Sequence, residues 1–233
     1  EITEEDMRWL ERDLSYVPKD VMVIFNMHAP GWNSMETIDN IENADKLAKV
    51  LAPYVCHVFA GHTHFFENVE VTPRLYQHNI AAACGAWWTS NLNRDGAPNG
   101  YMVATVNGTE MTWQYRPTNS KTMVQMRVYK PGEFRTQKEY VVANVWEWDT
   151  HCRVVWYEDG RYMGRMQQFI DNDEAFLLTK PRPHQLAKTQ HLFRAKPTSK
   201  KYRTIKVIFT NRFNQSYTYT IVNRNNRPFL LDK

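Results

Sequence analysis

Three histidines have the chemistry and the spacing expected of metal ligands. His28 follows an apolar run at residues 21–25, and His62 and His64 lie within VFAGHTHFF, residues 58–66, directly after a second such run. A neutral imidazole carries a lone pair near pH 7 and commonly ligates zinc, iron or manganese-type ions. A lone loop histidine is more often simply hydrogen-bonded to the backbone, but the shared position of these three favours a common metal site. The other five are interpreted as such hydrogen-bonded polar residues: His57, His78, His151, His184 and His191.

Two short strands and two helices in alternation must position these histidines. The sequences VMVIF (21–25) and YVCHVFA (54–60) are runs typical of strands buried on both faces of a sheet. Apolar residues at helical spacing predict a helix over 40–52 between them. Such alternation predicts parallel strands with helical crossovers, and ligands bind beyond the carboxyl ends of such strands. We expect Gly61 to permit the sharp turn through which the two later histidines face one space.

The N-terminal sequence predicts a helix from about Glu4 to Ser15. Thr3 is a favourable N-cap, Asp6 follows three residues later, and Pro18 ends the pattern. The apolar residues of this segment recur at helical spacing, so that one face is expected to be buried. That face is predicted to consist of Met7, Leu10 and Leu14.

The remainder of the chain is predicted to consist of strands. Residues 65–84 and 101–115 have strand-like patterns, and Asn107-Gly108 between alternating runs is a strong hairpin signal. Further strands are predicted in MVQMRVY, EYVVANVWEW, CRVVWY, RYMGRMQQF, TIKVIFT and SYTYTIV, with turns at residues 158–160 and 225–226. Short strands at this spacing predict an antiparallel sandwich of immunoglobulin-like architecture.

Composition indicates a globular chain with two differently charged parts. The 233 residues are 42% hydrophobic, and no stretch approaches the ~20 consecutive apolar residues of a membrane helix. Residues 1–120 carry 8 Lys+Arg against 15 Asp+Glu, a net charge of −7, whereas residues 121–233 carry 21 against 10, a net charge of +11. The change coincides with the linker-like RPTNSKT, 116–122. We predict domains at 1–117 and 122–233 that pack across a polar interface.

The N-terminus and the cysteines bear on the type of protein. No signal peptide is visible at the N-terminus. The chain begins with Glu1 rather than Met, which suggests a fragment, from which a targeting segment could have been removed. Cys56, Cys84 and Cys152 form no CxxC pair and are too few for a disulfide framework. They therefore indicate neither a compartment nor a thiol-based site.

Two motifs resemble those of a known enzyme family. The sequence NMHAP (26–30) after one buried strand and GHTH (61–64) after the next resemble the last two metal-binding motifs of the calcineurin-like metallophosphoesterases. The segment CGAWWTSNLNRDGAPNGY (84–101) and the strand-rich tail with HLFRAK resemble a bacterial subfamily that carries a C-terminal β-sandwich. The family motifs DxH, GDxxD and GNHE/D are absent upstream of His28, so the chain resembles the C-terminal part only. A literal DxH at Asp149–His151 is interpreted as chance.

The resemblance implies a fold, a function and a set of metal ligands. The implied fold is α/β, the C-terminal half of a calcineurin-like αββα sandwich, followed by an all-β immunoglobulin-like sandwich domain. The implied function is a fragment of a metal-dependent phosphoesterase that hydrolyses a phosphate mono- or diester. In the intact domain two divalent ions of Mn, Zn or Fe type are expected, with His28 and His62 on one ion and His64 on the other.

The absent motifs carry further implications from the same resemblance. They supply the bridging aspartate, an asparagine ligand and the leaving-group histidine, so no catalytic residue is assigned in this chain. The missing N-terminal half of the domain is then an expected partner, and the chain alone is expected to be inactive or weak. The resemblance also suggests a periplasmic or secreted location.

Trp87 and Trp88 are predicted to bind substrate, and the tail offers an alternative function. Indoles can stack on a sugar, a nucleoside or a lipid headgroup, although burial in the core is an alternative for at least one of the two. The rival hypothesis is a non-catalytic module that binds an anionic polymer or a membrane surface through basic sequences such as KPTSKKYR, 196–203. No nucleic-acid-binding motif is present, so no nucleic acid is expected as a partner.

Overall fold

Strands dominate the secondary structure of the computed structural model, which describes residues 1–118, 120 and 124–223. Part of the predicted linker and the predicted turn at 225–226 lie outside these residues. The elements are α1 (Glu4–Ser15), β1 (Met22–Asn26), α2 (Ala44–Leu51), β2 (Val55–Ala60), β3 (Glu67–Thr72), β4 (Leu75–Asn79), β5 (Gly100–Asn107), β6 (Glu110–Pro117), β7 (Met126–Tyr129), β8 (Val141–Val145), β9 (Arg153–Glu158), β10 (Arg161–Arg165), β11 (Gln167–Asp171), α3 (Glu174–Leu178), β12 (Thr189–Ala195), β13 (Thr204–Thr210) and β14 (Ser216–Val222). Among the described residues, no helix is long and apolar enough to cross a membrane.

Helix α1 has the predicted limits and the predicted cap. The Thr3 hydroxyl accepts a hydrogen bond from the Asp6 amide at 3.0 Å, which satisfies one of the free N–H groups of the first turn. The buried face consists of Met7, Leu10 and Leu14, as the spacing predicts.

Helix α2 is shorter than the predicted segment 40–52. Asn43 precedes it, but the Asn43 side chain does not cap the helix. Instead, its carbonyl accepts from the Ile2 amide at 3.0 Å and its amide donates to the Ile2 carbonyl at 2.7 Å. The Asn43 side chain, which lies within the predicted helical segment, therefore makes a tertiary contact to the residue before Thr3 instead of taking part in the helix.

The N-terminal part contains one four-stranded sheet in the order β1-β2-β4-β3. Strand β2 pairs in parallel with both β1 and β4, whereas β3 is antiparallel to β4. Leu47 and Leu51 of α2 are fully buried with Cys56 and Val58 of β2 in a cluster that also contains the buried face of α1. The two helices thus cover this sheet, and the carboxyl ends of β1 and β2 lie side by side, where the chain continues into His28 and Gly61.

Strands β5 and β6 form the predicted hairpin. Their register pairs Asn107 with Glu110, and Gly108 in the turn has φ +61°. The predicted hairpin is therefore confirmed, but its two loop residues are Gly108 and Thr109 rather than Asn107 and Gly108, because Asn107 is still paired within β5. Gly108 takes the left-handed position that the turn requires.

The C-terminal region, residues 124–223, contains two antiparallel four-stranded sheets. Their strand orders are β11-β12-β8-β7 and β10-β9-β13-β14. One hydrophobic cluster takes residues from both sheets, including Val141, Val145 and Phe193 from the first and Ile205 and Phe209 from the second. Both sheets therefore contribute to one core.

Three features of this region differ from the sequence prediction. The run RYMGRMQQF forms two strands, β10 and β11, that belong to different sheets, because the chain changes sheet at the buried Met166. Strand β12 is central to its sheet but was not predicted, since polar residues interrupt its apolar pattern. Helix α3 spans only five residues, too few for a helical periodicity to be visible, and is capped by Asp173.

Arg212 joins the C-terminal region to the N-terminal part. Its guanidinium lies 5.1 Å from the ring centres of both Tyr76 and Trp113, within range of cation–π attraction. It also forms ion pairs with Glu70 at 3.5 Å and with Asp149 at 3.4 Å. A cation from beyond residue 121 thus meets an acid of the N-terminal part, as the charge distribution predicts.

Glu147 is a second polar group at this junction. Its carboxylate is almost fully buried and accepts hydrogen bonds from the Tyr115 amide and the Asn211 side-chain amide, each at 3.4 Å. Burial raises the pKa of this carboxyl to about 8, and the nearby Asp149 raises it further, while the two hydrogen bonds oppose the change. The carboxylate form is therefore unfavourable in the folded protein.

We predict that Arg212→Gln lowers the free energy of unfolding by about 2 kcal/mol, because it removes a desolvated cation–π contact and leaves the buried Asp149 carboxylate without its cationic partner. Urea unfolding followed by circular dichroism measures the change. Arg203→Gln is the control, because its ion pair with Asp159 is mostly exposed and should contribute little. Equal effects of the two substitutions would contradict the role of Arg212.

We predict that Glu147→Gln shifts the pH dependence of stability between about pH 5 and about pH 8, because it removes a carboxyl whose stabilising contribution falls over this range. Buried histidines with lowered pKa values, His57, His78 and His191, contribute in the opposite direction, so the comparison is between the slopes of the two proteins. A carboxyl whose folded pKa is about 8 and whose unfolded pKa is ordinary favours folding at low pH. This contribution is lost as pH rises through the folded pKa, and each tenfold difference in proton affinity between the two states corresponds to ~1.4 kcal/mol. Urea midpoints measured across this range test the prediction.

Glu139→Gln is the exposed control for the pH dependence and should leave the slope unchanged. An unchanged slope in Glu147→Gln would refute the prediction. Burial also raises the pKa of Asp95 to about 7, so part of the slope should persist in Glu147→Gln.

Candidate active site

A cleft of about 770 Å³ lies at the carboxyl ends of β1 and β2. We call it the histidine cleft, because the side chains of His28, His62 and His64 all line it. Further walls come from the loop between β1 and α2, from Trp87 and Arg94, and from His184 of the C-terminal region. Parallel strands bring their carboxyl ends to one edge of a sheet, and the structure accordingly brings the three predicted ligands together there.

His28 and His62 are in direct contact. The Nε2 atom of His28 lies 3.0 Å from Nδ1 of His62, and the ring planes are inclined by 77°. Nitrogen ligands lie ~2.0–2.1 Å from a zinc ion, so that two adjacent ligands of one ion are roughly 3 Å apart. The other nitrogen of His62, Nε2, faces the carboxylate of Asp39 at 3.7 Å. The spacing of the two imidazoles suits ligation of a single ion.

His64 is oriented separately from this pair. Its Nδ1 lies 2.5 Å from the Gly85 carbonyl oxygen, which can only accept, so that this contact places the proton on Nδ1 and leaves the lone pair on Nε2. The ring also stacks on the Trp87 indole, with centroids 4.4 Å apart and planes inclined by 14°. Both contacts fix the imidazole with one nitrogen available for a ligand.

The turn after β2 depends on the histidines themselves rather than on Gly61. His62 and His64 have φ values of +73° and +56°, whereas Gly61 is not in the left-handed region. A methyl group added at Gly61 would meet nothing closer than the His28 carbonyl at 4.0 Å. The expectation that Gly61 supplies the turn is therefore wrong. Histidine is among the side chains that tolerate left-handed backbone better than most.

A second group of left-handed residues carries the two tryptophans. Gly85, Trp87 and Trp88 have φ values of +59°, +50° and +63°. The neighbouring Ala86 is fully buried and packs with Leu92 in a small apolar cluster. This anchor turns both indoles outward, with exposed fractions of 41% for Trp87 and 86% for Trp88. Trp87 lines the histidine cleft, whereas Trp88 does not line it, and their role in substrate binding stays a prediction.

The buried Arg94 connects several segments that form the wall of the histidine cleft. It forms a two-pronged ion pair with Glu36, with N–O distances of 2.6 and 2.7 Å. Its remaining N–H groups donate to the carbonyls of Thr63 at 3.1 Å, Gln185 at 3.1 Å and Leu186 at 3.2 Å. Because a guanidinium has five N–H donors, every donor of Arg94 has an acceptor. This buried side chain therefore connects three separate segments of the cleft wall.

Sequence reasoning missed four residues of the cleft: Glu36, Asp39, Arg94 and His184. Asp39 could have been suspected, since it lies in the loop that follows the first histidine-bearing strand. The Glu36–Arg94 pair joins positions 58 residues apart, and His184 reaches the cleft from the opposite end of the chain. No local pattern marks either of them, so only the fold reveals their position.

Four of the other histidines lie outside the histidine cleft and have structural surroundings. His57 and His78 are buried with their rings stacked and Nδ1 of His57 2.9 Å from Nε2 of His78. Burial lowers the pKa of His57 to about 4 and that of His78 well below its usual range. His191 is buried beside Asp95, and His151 contacts Glu70 at 2.7 Å. His184 differs from these four because it lines the cleft.

The donor chemistry of the cleft fits a divalent ion only in part. Imidazole nitrogens and one carboxylate are suitable ligands for zinc, iron or manganese-type ions. Within residues 1–118, 120 and 124–223, however, no group of three or more His, Cys, Asp or Glu side chains is arranged to hold an ion. The described residues thus offer imidazole nitrogens and a carboxylate at this cleft, but no complete coordination shell.

Comparison with protein families gives a match over much of the chain. The family model described as the C-terminal part of calcineurin-like phosphoesterases matches residues 77–217, more than half of the chain. The matched segment begins after the three histidines, contains Trp87, Trp88 and Arg94, and runs across the predicted domain boundary. No curated protein matches the chain.

We predict that Arg94→Lys lowers the free energy of unfolding by about 2 kcal/mol or more, because lysine cannot reproduce a two-pronged pair and the buried carbonyls lose their donors. Thermal and urea unfolding measure the loss. Arg74→Lys is the matched control, since Arg74 is exposed and its side chain makes one long contact, to the Pro53 carbonyl; it should change stability by less than ~0.5 kcal/mol. Comparable losses in both variants would show that the five contacts of Arg94 do not act as a unit.

Proposed function

Because this chain belongs to the calcineurin-like phosphoesterases, as the C-terminal part of such a protein, we propose that it contributes to the site of a metal-dependent phosphoesterase. The substrate is a phosphate mono- or diester, and the ions are two divalent ions of Mn, Zn or Fe type. The observation that carries this proposal is the histidine cleft, where three imidazoles from two neighbouring strand ends converge beside a stacked indole.

The proposal gives each histidine a role. His28 and His62 would hold one ion, which their nitrogen separation of 3.0 Å supports. His64 would hold the other, supported by its fixed ring and its available Nε2. When bound, such ions supply an activated hydroxide and neutralise the phosphoryl oxygens. The chain's own part is to orient these nitrogens, while Trp87 limits solvent access to His64.

The charges of the side chains in the histidine cleft agree with a substrate whose phosphate binds through metal ions. The one arginine of the lining, Arg94, has all its donors occupied, and Glu36 neutralises its charge. No other Arg or Lys side chain lines this cleft among the described residues. An anionic substrate would therefore meet no unpaired cation from this chain, so that attraction to the phosphate would come from the ions.

We also propose the architecture and the partner that the family resemblance implies. Residues 1–117 would be the C-terminal half of an αββα sandwich, supported by the parallel β1-β2-β4 pairing with α2 between β1 and β2. Residues 122–233 would be an immunoglobulin-like sandwich, supported by the core that two antiparallel sheets share. The partner would be the N-terminal half of the phosphoesterase domain, in a periplasmic or secreted protein. Strand β1 offers it an unpaired edge with the exposed Ile24.

A second candidate function is a non-catalytic module that binds an anionic polymer or surface. The observation that favours it is a groove of about 580 Å³ in the C-terminal region that contains Lys130, Lys138, Lys196 and Lys200. Glu139 is the one acidic residue of this groove among the described residues, and it contacts Lys196 at 2.7 Å. Binding through such a groove would weaken steeply with salt, because it releases counterions.

We predict that the chain alone hydrolyses bis-p-nitrophenyl phosphate poorly, whereas a protein extended upstream by the N-terminal half of the domain hydrolyses it in a manganese- or zinc-dependent way. Three imidazoles shared between two ions leave fewer than the three protein ligands that catalytic zinc sites keep. In the extended protein, His62→Ala should lower turnover by at least about 100-fold, since positioning and charge stabilisation are both lost.

His151→Ala serves as the control, because this histidine lies outside the histidine cleft, and it should leave turnover unchanged. Calorimetric titration with zinc gives a second measure, in which His62→Ala should weaken binding. Equal, metal-dependent turnover by both proteins would overturn the need for a partner. Absence of turnover in the extended protein, together with salt-sensitive binding of polyphosphate by this chain, would favour the binding module instead.

A further inference from the structure

A second cleft of about 530 Å³ lies along the tryptophan-bearing loop, residues 84–92, and shares no lining residue with the histidine cleft. We call it the Trp88 cleft. The loop supplies most of its wall, and β7 and the end of α3 supply the rest. Its lining consists of Trp88, Thr89, Ser90, Asn91, Leu92, Arg127 and Thr179.

The position of Trp88 in this cleft is unfavourable in two respects, its backbone conformation and its exposure to water. Its backbone is left-handed, with φ +63°, and this conformation is unfavourable for a residue with a side chain. Its indole is 86% exposed, so little of its large apolar surface is removed from water. Core packing of Trp88 offsets neither cost. The conformation is fixed from outside, by a hydrogen bond from the Trp88 amide to the Cys84 carbonyl at 3.1 Å and by the buried Ala86.

Arg127 provides an unpaired cation in the same cleft. This half-buried side chain on β7 has no hydrogen-bond acceptor and no carboxylate within ion-pair distance among residues 1–118, 120 and 124–223. Its charge is felt by the buried Asp173, whose carboxylate instead accepts hydrogen bonds from Tyr129 and Asn144. Arg94, across the loop, has acceptors for all its donors. Of the two arginines that flank the tryptophan-bearing loop, only Arg127 thus has donors available for an anion.

Asn91 and Ser90 are the side chains of the Trp88 cleft that can donate to a ligand beside Arg127, since the Thr89 and Thr179 hydroxyls already donate to backbone carbonyls. Asn91 is exposed and its side-chain amide makes no contact within the described chain, so it can both donate and accept. The Ser90 hydroxyl oxygen accepts from the Leu92 amide at 2.9 Å, which leaves its hydrogen free to donate. Among the residues that the structure describes, the lining contains no Asp or Glu. A ligand rich in acceptors and negatively charged would suit this surface.

We propose that the Trp88 cleft binds the sugar-phosphate portion of an anionic substrate whose scissile phosphoester lies in the histidine cleft. This inference rests on the proposed phosphoesterase function. A pyranose ring has an apolar face that can lie on the Trp88 indole, and its hydroxyls can both donate to and accept from Asn91. The phosphate meets Arg127. Trp87 and Trp88 are consecutive residues that line the two clefts, so one extended ligand can contact both.

A sugar suits the Trp88 cleft better than a nucleobase does. Base recognition commonly places a ring between stacking side chains and reads its edge by hydrogen bonds. Among the described residues, Trp88 is the one aromatic side chain that lines the Trp88 cleft, and the polar side chains of the lining come from three separate segments. One-sided stacking with scattered donors matches a ring that carries hydroxyls in several directions.

The test is ligand-observed saturation-transfer NMR on the chain without added metal, using glucose 1-phosphate as the probe. We expect it to bind at least about 10-fold more tightly than glucose or inorganic phosphate alone, since it engages the indole and the guanidinium together. Trp88→Ala and Arg127→Gln should each weaken binding about 10-fold, and Trp88→Phe should weaken it less. The exposed residues Trp9 and Arg165 supply the controls, Trp9→Ala and Arg165→Gln, which should change nothing.

Each other outcome overturns the proposal in a specific way. Equal binding of phosphate and glucose 1-phosphate would show that the cleft does not recognise the sugar. Tighter binding of adenosine monophosphate would show that the cleft prefers a nucleoside. Loss of binding in His62→Ala would show that the probe binds in the histidine cleft instead of the Trp88 cleft. The NMR experiment does not depend on hydrolysis, so the proposed catalytic function can fail in its own assay while this binding persists, and the reverse also holds.

Discussion

The bonding of one buried arginine determines the shape of the histidine cleft. Arg94 carries a full charge in a position with almost no access to water, and such a charge is tolerated only when it is paired and every donor is satisfied. Its acceptors belong to the loop after β1, the loop after β2 and the turn before β12. These segments must keep their mutual positions for the pairing to persist. The geometry of the imidazoles therefore depends on a residue whose donors are all turned to the protein.

Backbone strain is concentrated where the side chains of interest are displayed. Four bulky residues near the two clefts, His62, His64, Trp87 and Trp88, have left-handed backbone, and each such residue costs on the order of 1–2 kcal/mol. Favourable packing elsewhere must offset this free-energy cost. The buried side chains beneath α1 and α2 and those between the two C-terminal sheets provide such packing. Strain of this kind persists only where the surroundings over-determine the conformation. Arg94 and the buried Ala86 are such surroundings.

Sequence reasoning identified the elements that depend on local patterns. Helix α1, the two parallel strands and the β5–β6 hairpin follow from a cap, from apolar runs and from a glycine between two alternating runs. The shared strand-end position predicted that three histidines lie near one another, and all three line the histidine cleft. Sequence reasoning could not identify Arg94, because the acceptors of this side chain come from segments up to 92 residues away. It assigned the turn to Gly61 since glycine is the usual left-handed residue, whereas here the histidines take that conformation. Strand β12 was missed because its burial depends on sheet order rather than on its own pattern.

The C-terminal region forms part of the histidine cleft. It supplies His184 to the lining and the two carbonyls, of Gln185 and Leu186, that complete the hydrogen bonding of Arg94. Buried polar contacts strengthen the junction, including one from the Asn144 amide to the Asp95 carbonyl at 2.7 Å. Polar contacts that exclude water lose more when they shift than apolar ones do, because a separated donor or acceptor is left unpaired. A movement of the two antiparallel sheets relative to β1 and β2 would therefore disturb Arg94 first, and through it the loops that hold the histidines.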